Sequence, residues 1–153
     1  NRTAPIAHRI EGKQQLDMDS AMAILNNRFQ IMAQYRKLVI VPLVRQELGR
    51  ADATLRHQLR RAKRLLAREP SLLQQEQQAH IDDMLAQSQS LKVIYEKRLA
   101  LQQIWTRTSS NGHEMLAAIK QWVHEAEASG IQSLREFAEH LRTYSLRPSV
   151  AIA

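Results

Sequence analysis

Apolar positions recur every three or four residues along most of the chain, the spacing of helices with one buried face. Met18, Met22, Leu25, Phe29 and Met32 form the first stripe, and the pattern continues through Tyr35, Leu38 and Val39 to about Leu48. Asp17 or Asp19 is placed to cap its start, and Gly49 to stop it. Pro42 predicts a kink inside it, because proline lacks a backbone donor and clashes with the preceding turn. A second helix is expected over 52–67, with a narrow stripe of Leu55, Leu59, Ala62 and Leu66, and Pro70 marks its end. A third, rich in glutamine, is expected over 72–87 with Ile81, Met84 and Leu85 inward. The fourth starts after Ser90 and runs to about Trp105, sharing Leu91, Ile94, Tyr95, Leu101 and Trp105 on a broad face. Ser109-Ser110-Asn111-Gly112 breaks the pattern, and Asn111 followed by Glu114 has the spacing of a capping box. The fifth helix carries Met115, Ile119, Trp122, Val123 and Ala126 and ends at Gly130. The sixth turns Leu134, Phe137, Ala138 and Leu141 inward and reaches Tyr144.

These elements predict an all-α bundle of about six helices joined by short turns. Residues 1–16 read as a linker, 17–144 as the helical domain and 145–153 as a loose tail. The composition agrees: 44% of residues are hydrophobic, enough for a core, while four glycines and four prolines are too few for a sandwich or barrel. Phe29, Trp105, Trp122 and Phe137 all fall on apolar stripes and are expected as core anchors.

Little catalytic chemistry is written into the chain. It has no cysteine, so a disulfide scaffold, a thiolate zinc site and a cysteine nucleophile are excluded. No two of its six histidines stand three or four residues apart, as a metal site on one helix face would need. There is no phosphate-binding glycine loop and no nucleophile elbow. The neighbouring acids Asp82 and Asp83, and Glu125 and Glu127, read as solvated surface. No catalytic, cofactor-binding or metal-binding residue is therefore expected within the chain. The longest apolar run, Leu38 to Val44, is broken by Pro42 and is far too short for a membrane span. The start at Asn1, without an initiator Met, suggests a fragment or a processed product.

Charge adds the one strong feature. Between Arg50 and Arg68 there are seven basic residues against a single acid, Asp52, which accounts for most of the net charge of +7. Arg56, Arg60, Arg61, Lys63, Arg64 and Arg68 form a candidate anion-binding surface. Its partner could be lipid headgroups, an acidic protein or a nucleic-acid backbone. The plain alternative is a solvated face partly neutralised by Glu76, Asp82 and Asp83 of the third helix. Few aromatics are available to stack on bases, which disfavours single-strand recognition. Helical self-association is a third possibility.

Two stretches carry a family resemblance. Asn26-Asn27-Arg28-Phe29-Gln30-Ile31-Met32-Ala33-Gln34-Tyr35 resembles the segment that follows the catalytic core of bacterial membrane fatty-acid desaturases. The run Trp122 to Leu141, with the ending Leu141-Arg142-Thr143-Tyr144-Ser145-Leu146, resembles their C-terminal end. This resemblance implies an accessory domain on the cytosolic face of the bacterial inner membrane. The parent enzyme would insert a cis double bond into an acyl chain with dioxygen, iron and an electron donor. The histidine boxes that hold such iron are absent here, so the histidines inherit no catalytic role. On this reading the basic helix docks on the membrane surface or on an acidic carrier or electron-donor protein. The same helices are also similar to the C-terminal region of an insertion-sequence transposase family, through Arg64-Leu65-Leu66 to Pro70, Gln77, Leu85, Leu91, Tyr95 and Leu99, then Trp122, Ala126, Ser129 and Ile131. That alternative implies DNA binding, with an acidic-triad core lying outside these residues.

Overall fold

The computed structural model describes residues 16–107 and 111–144. The expected tail, most of the expected linker, His8 and the Ser109-Ser110 turn lie outside the described residues. The described residues are helical with no strand, so the fold is all-α as the periodicity predicts.

The first expected helix is divided. Asp17 caps α1 (Met18–Asn26), its carboxylate accepting the Ser20 N–H at 2.8 Å. That hydrogen bond holds the Asp17 carboxyl below its ordinary pKa. At Asn27 the backbone leaves helical geometry, and α2 (Arg28–Tyr35) follows. A π-helical segment, Arg36–Ile40, then leads into α3 (Val41–Leu48). The Val41 N–H reaches back to the Arg36 carbonyl, five residues earlier. The disruption expected at Pro42 thus takes the form of a wide turn just ahead of it, which makes room for a ring that an ordinary turn would crowd.

The remaining elements lie close to their expected places. They are α4 (Ala53–Leu66), a 3-10 turn at Pro70–Leu72, α5 (Gln75–Gln87), α6 (Gln89–Arg107), α7 (Gly112–Glu127) and α8 (Gln132–Arg142). Asn111 caps α7 by accepting the His113 and Glu114 N–H groups. Between α7 and α8 the chain reverses through Gly130, whose φ of 82° lies in the left-handed region that suits glycine.

α7 packs on α8, α6 and α1, the π-helical segment lies on α8, and α4 lies against α3 and α5. At the centre Tyr35, Trp122 and Phe137 meet edge to face, with centroid separations of 5.2 to 6.4 Å. The two polar handles of this trio are satisfied by α6: the Tyr35 hydroxyl donates to the Ile94 carbonyl and Trp122 Nε1 to the Lys97 carbonyl, at 2.5 and 2.8 Å. Burial pushes the Tyr35 hydroxyl's pKa far up, so it stays protonated. Trp105, Trp122 and Phe137 are buried as expected, but Phe29 is 78% exposed. The first stripe is corrected with it: the core takes Ala21, Ile24, Ile31 and Tyr35 from α1 and α2, and Met22 is left largely outside. Leu16, the last residue of the expected linker, is buried in the core.

Candidate functional site

Helix α4 carries the basic cluster, and its placement follows from both of its faces. Leu59, Ala62, Leu65 and Leu66 are buried, so the opposite face must look outward. Asp52 caps the start, accepting the Leu55 N–H at 2.8 Å. Neighbouring elements then hold the helix along its length. His80 of α5 bonds the Gln58 carbonyl through Nε2 at 3.1 Å. Arg98 of α6, only 7% exposed, donates to the Ala67 carbonyl at the C-terminal end, at 2.7 Å. One turn further along α6, Gln102 donates to Glu69. Burial lowers the Arg98 pKa, and the negative charge of Glu69 opposes that shift. A cation at the end of α4 also complements the helix dipole.

The structure divides the six predicted cationic residues by what they do. Arg56 is used by the fold: its Nε donates to the Leu48 carbonyl at 3.2 Å, closing the end of α3. Arg61 stands 3.8 Å from Glu76 of α5, the one contact that matches the expected neutralisation by the third predicted helix. Asp82 and Asp83 are instead bonded by Gln78 and Gln87 on their own helix. Lys63 is half-buried on the flank. Arg60 and Arg64 are exposed and one helical turn apart, about 6 Å along the axis. Arg68 is exposed just past the end of α4. Among the described residues, Arg60, Lys63, Arg64 and Arg68 form no ion pair with a carboxylate.

One member of this face was missed by reading charge alone. His57 is exposed and precedes Arg60 by three residues and Arg64 by seven, so it shares their side of the helix. The heptad spacing was the available signal. A cleft of about 430 Å³ lies away from α4, lined by Glu127, Glu136, Glu139, His140, Arg142 and Thr143. There Glu127 pairs with Arg142, and that hydrogen bond raises the arginine's pKa. Among the described residues no group of three or more metal-ligating side chains could hold an ion. No helix among them is long and apolar enough to cross a membrane.

The site is therefore a row of exposed cations along one face of α4 and just past its end, whose charge suits an anionic partner. Comparison with known proteins supplies the family. The ISL3 transposase family, described as transposase, matches residues 19–147. The chain is also similar to the transposase for insertion sequence element IS1001 of Bordetella parapertussis, at 28% identity over 123 residues, 79% of this chain and 30% of that protein. The chain thus spans about 30% of the length of the curated relative it matches. No solved structure matches it.

These findings overturn the desaturase resemblance. With it go the acyl-chain reaction and the placement on the inner-membrane face, and the iron, the electron donor, the acidic carrier and the membrane surface lose the resemblance that implied them. Short helical strings such as Asn26 to Tyr35 record amphipathic packing, which unrelated helical proteins share. The transposase similarity, carried by residues spread from Arg64 to Ile131, agrees with the family match. The chain belongs to the ISL3 transposase family.

Proposed function

We propose that this helical segment grips duplex DNA for a transposase, by laying the exposed face of α4 along the phosphate backbone. One observation carries the reading: Arg60, Arg64 and Arg68, flanked by Lys63 and His57, stand outward without carboxylate partners among the described residues. In a transposase the polyanion at hand is DNA, and phosphate contacts from arginines fix position without reading sequence. Duplex is favoured over single strand because no Phe, Tyr or Trp lies on this helix to stack on bases. Arg56 and Arg61 assist mainly through the fold, since each already has a partner within it.

The test is fluorescence anisotropy with a short labelled duplex over a range of salt concentrations. The wild-type chain should bind with affinity that falls steeply as salt rises. Replacing Arg60, Lys63, Arg64 and Arg68 by Gln should weaken binding by more than about tenfold at low salt. The slope of log affinity against log salt should become shallower by about 0.9 for each phosphate that is no longer neutralised. Arg61→Gln alone should change little. Equal affinity and slope in the quadruple variant would overturn the assignment of α4 as the grip.

A further inference from the structure

Few aromatics are free to stack on bases if Phe29 is a core anchor, as its stripe predicts. The structure frees it: Phe29 is 78% exposed. A lone exposed ring needs no explanation. This one is held in place and set among cations. The Arg28 guanidinium lies over one face of the ring, 4.8 Å from its centroid. That guanidinium is itself tied down, its Nη1 donating to the Leu25 carbonyl at 3.0 Å. One face of the ring thus rests on a fixed cation, and the other is left to water.

The same side of the helix continues as a basic surface. Ala33 follows Phe29 by one turn, and Arg36 and Lys37 follow by two, where α2 runs into the π-helical segment without a break. These spacings place all of them on the side of Phe29, and all are exposed. Arg36 lies about 10 Å beyond Phe29 along the axis. No Asp or Glu occurs between Asp19 and Glu47, and Arg28, Arg36 and Lys37 form no ion pair among the described residues.

We infer that this face of α2 is a second DNA contact, in which Phe29 stacks on an unpaired base of a single strand while Arg36 and Lys37 take the adjoining phosphates. Stacking accepts any base, because every base has a π-face, and the cations supply the salt-dependent part of the affinity. The short side chain of Ala33 leaves the path between ring and cations open. Bases within a duplex keep their faces in the stack, so Phe29 selects unpaired nucleotides where α4 follows a duplex backbone. The inference shares with the proposed function only the choice of DNA as the polyanion, and it uses none of the α4 residues.

The test is fluorescence anisotropy of the 153-residue chain with a labelled single strand of mixed sequence, and with the same strand paired to its complement. The wild-type chain should bind both. Phe29→Leu keeps an apolar side chain but no ring; it should weaken single-strand binding by at least about fivefold and duplex binding by less than about twofold. Phe29→Trp should hold the single strand at least as tightly as wild type. Replacing Arg36 and Lys37 by Gln should make the single-strand salt dependence shallower, by about 0.7 in log–log slope for each phosphate lost. Circular dichroism checks that each variant remains helical. A wild-type chain that does not bind the single strand, a Phe29→Leu chain that binds it as well as wild type, or equal losses on single strand and duplex would overturn the inference. Failure of the α4 grip is read separately, on the duplex, from the quadruple Gln variant.

Discussion

The α7–α8 hairpin and the α1–α2 segment carry equally regular apolar stripes, yet only the first buries the residues its pattern selects. In α7 and α8, Met115, Ile119, Trp122, Val123 and Ala126, then Leu134, Phe137, Ala138 and Leu141, are all buried. In α1 and α2 Phe29 and, in part, Met22 face water, Leu25 and Met32 lie at the edge of the core, and Ala21, Ile24, Ile31 and Tyr35 fill it. The difference is one of choice. The residues opposite each buried stripe in α7 and α8 are mainly polar or charged, so only one face can go inward. The α1–α2 segment is apolar on two sides, and local periodicity cannot rank them. Tyr35 ranks them: its ring completes the trio with Trp122 and Phe137, and its hydroxyl finds the Ile94 carbonyl. A buried hydroxyl needs such a partner, so the side that supplies one is the side that can be buried.

The sharpest way to break this comparison is a pair of phenylalanine truncations. Phe137→Ala should cost about 3–5 kcal/mol of unfolding free energy, by removing a fully enclosed ring. Phe29→Ala should stay within about 0.5 kcal/mol, because its ring is mostly solvated already. Urea denaturation measures both, and similar losses at the two positions would contradict the assigned core.

A second substitution separates the scaffold from the basic face it supports. Arg98→Ala should destabilise the chain by about 1–3 kcal/mol, since the Ala67 carbonyl loses its charged donor at the end of α4. Its effect on duplex binding should vanish when measured under conditions where the chain remains folded. Arg64→Gln should do the reverse, weakening binding with less than about 0.5 kcal/mol lost in stability.

The smallest expected effect is on the pH dependence. The hydrogen bond from Lys97 holds the Glu125 carboxyl below its ordinary pKa. Its folded value is depressed, so its contribution is present above about pH 4.5 and is lost as pH falls through the lower folded value. Glu125 is about half exposed, so solvent screening limits the contribution to less than about 1 kcal/mol. Glu125→Gln should flatten the acid limb of stability against pH by that amount, and leave stability at neutral pH lower by the same small margin. An unchanged acid limb would show that the pair contributes nothing.

Much of the candidate site was legible in the order of residues, and the remainder was not for a definable reason. The arginine density between Arg50 and Arg68 marks α4 whatever surrounds it, and the stripe of Leu59, Ala62 and Leu66 already turns Arg60 and Arg64 outward. Which cations stay free for a partner is another matter. Arg56 finds the Leu48 carbonyl because α3 and α4 fold back on each other, and Arg61 meets Glu76 because α5 lies alongside. Those neighbours are set by packing between helices, which charge counting along the chain does not contain.

By itself the sequence determined most of the helices, caps at Asp17 or Asp19 and at Asn111, the reversal at Gly130, and most of the residues that share each buried face. These depend on backbone geometry and on hydrogen bonds reaching at most a few residues. The tertiary structure alone decided that Phe29 stays outside, that Arg98 secures the far end of α4, and which cations keep their guanidinium groups uncommitted. Burial and ion pairing depend on surfaces brought together from distant parts of the chain, and a local pattern can offer a face to the core without deciding whether the core accepts it.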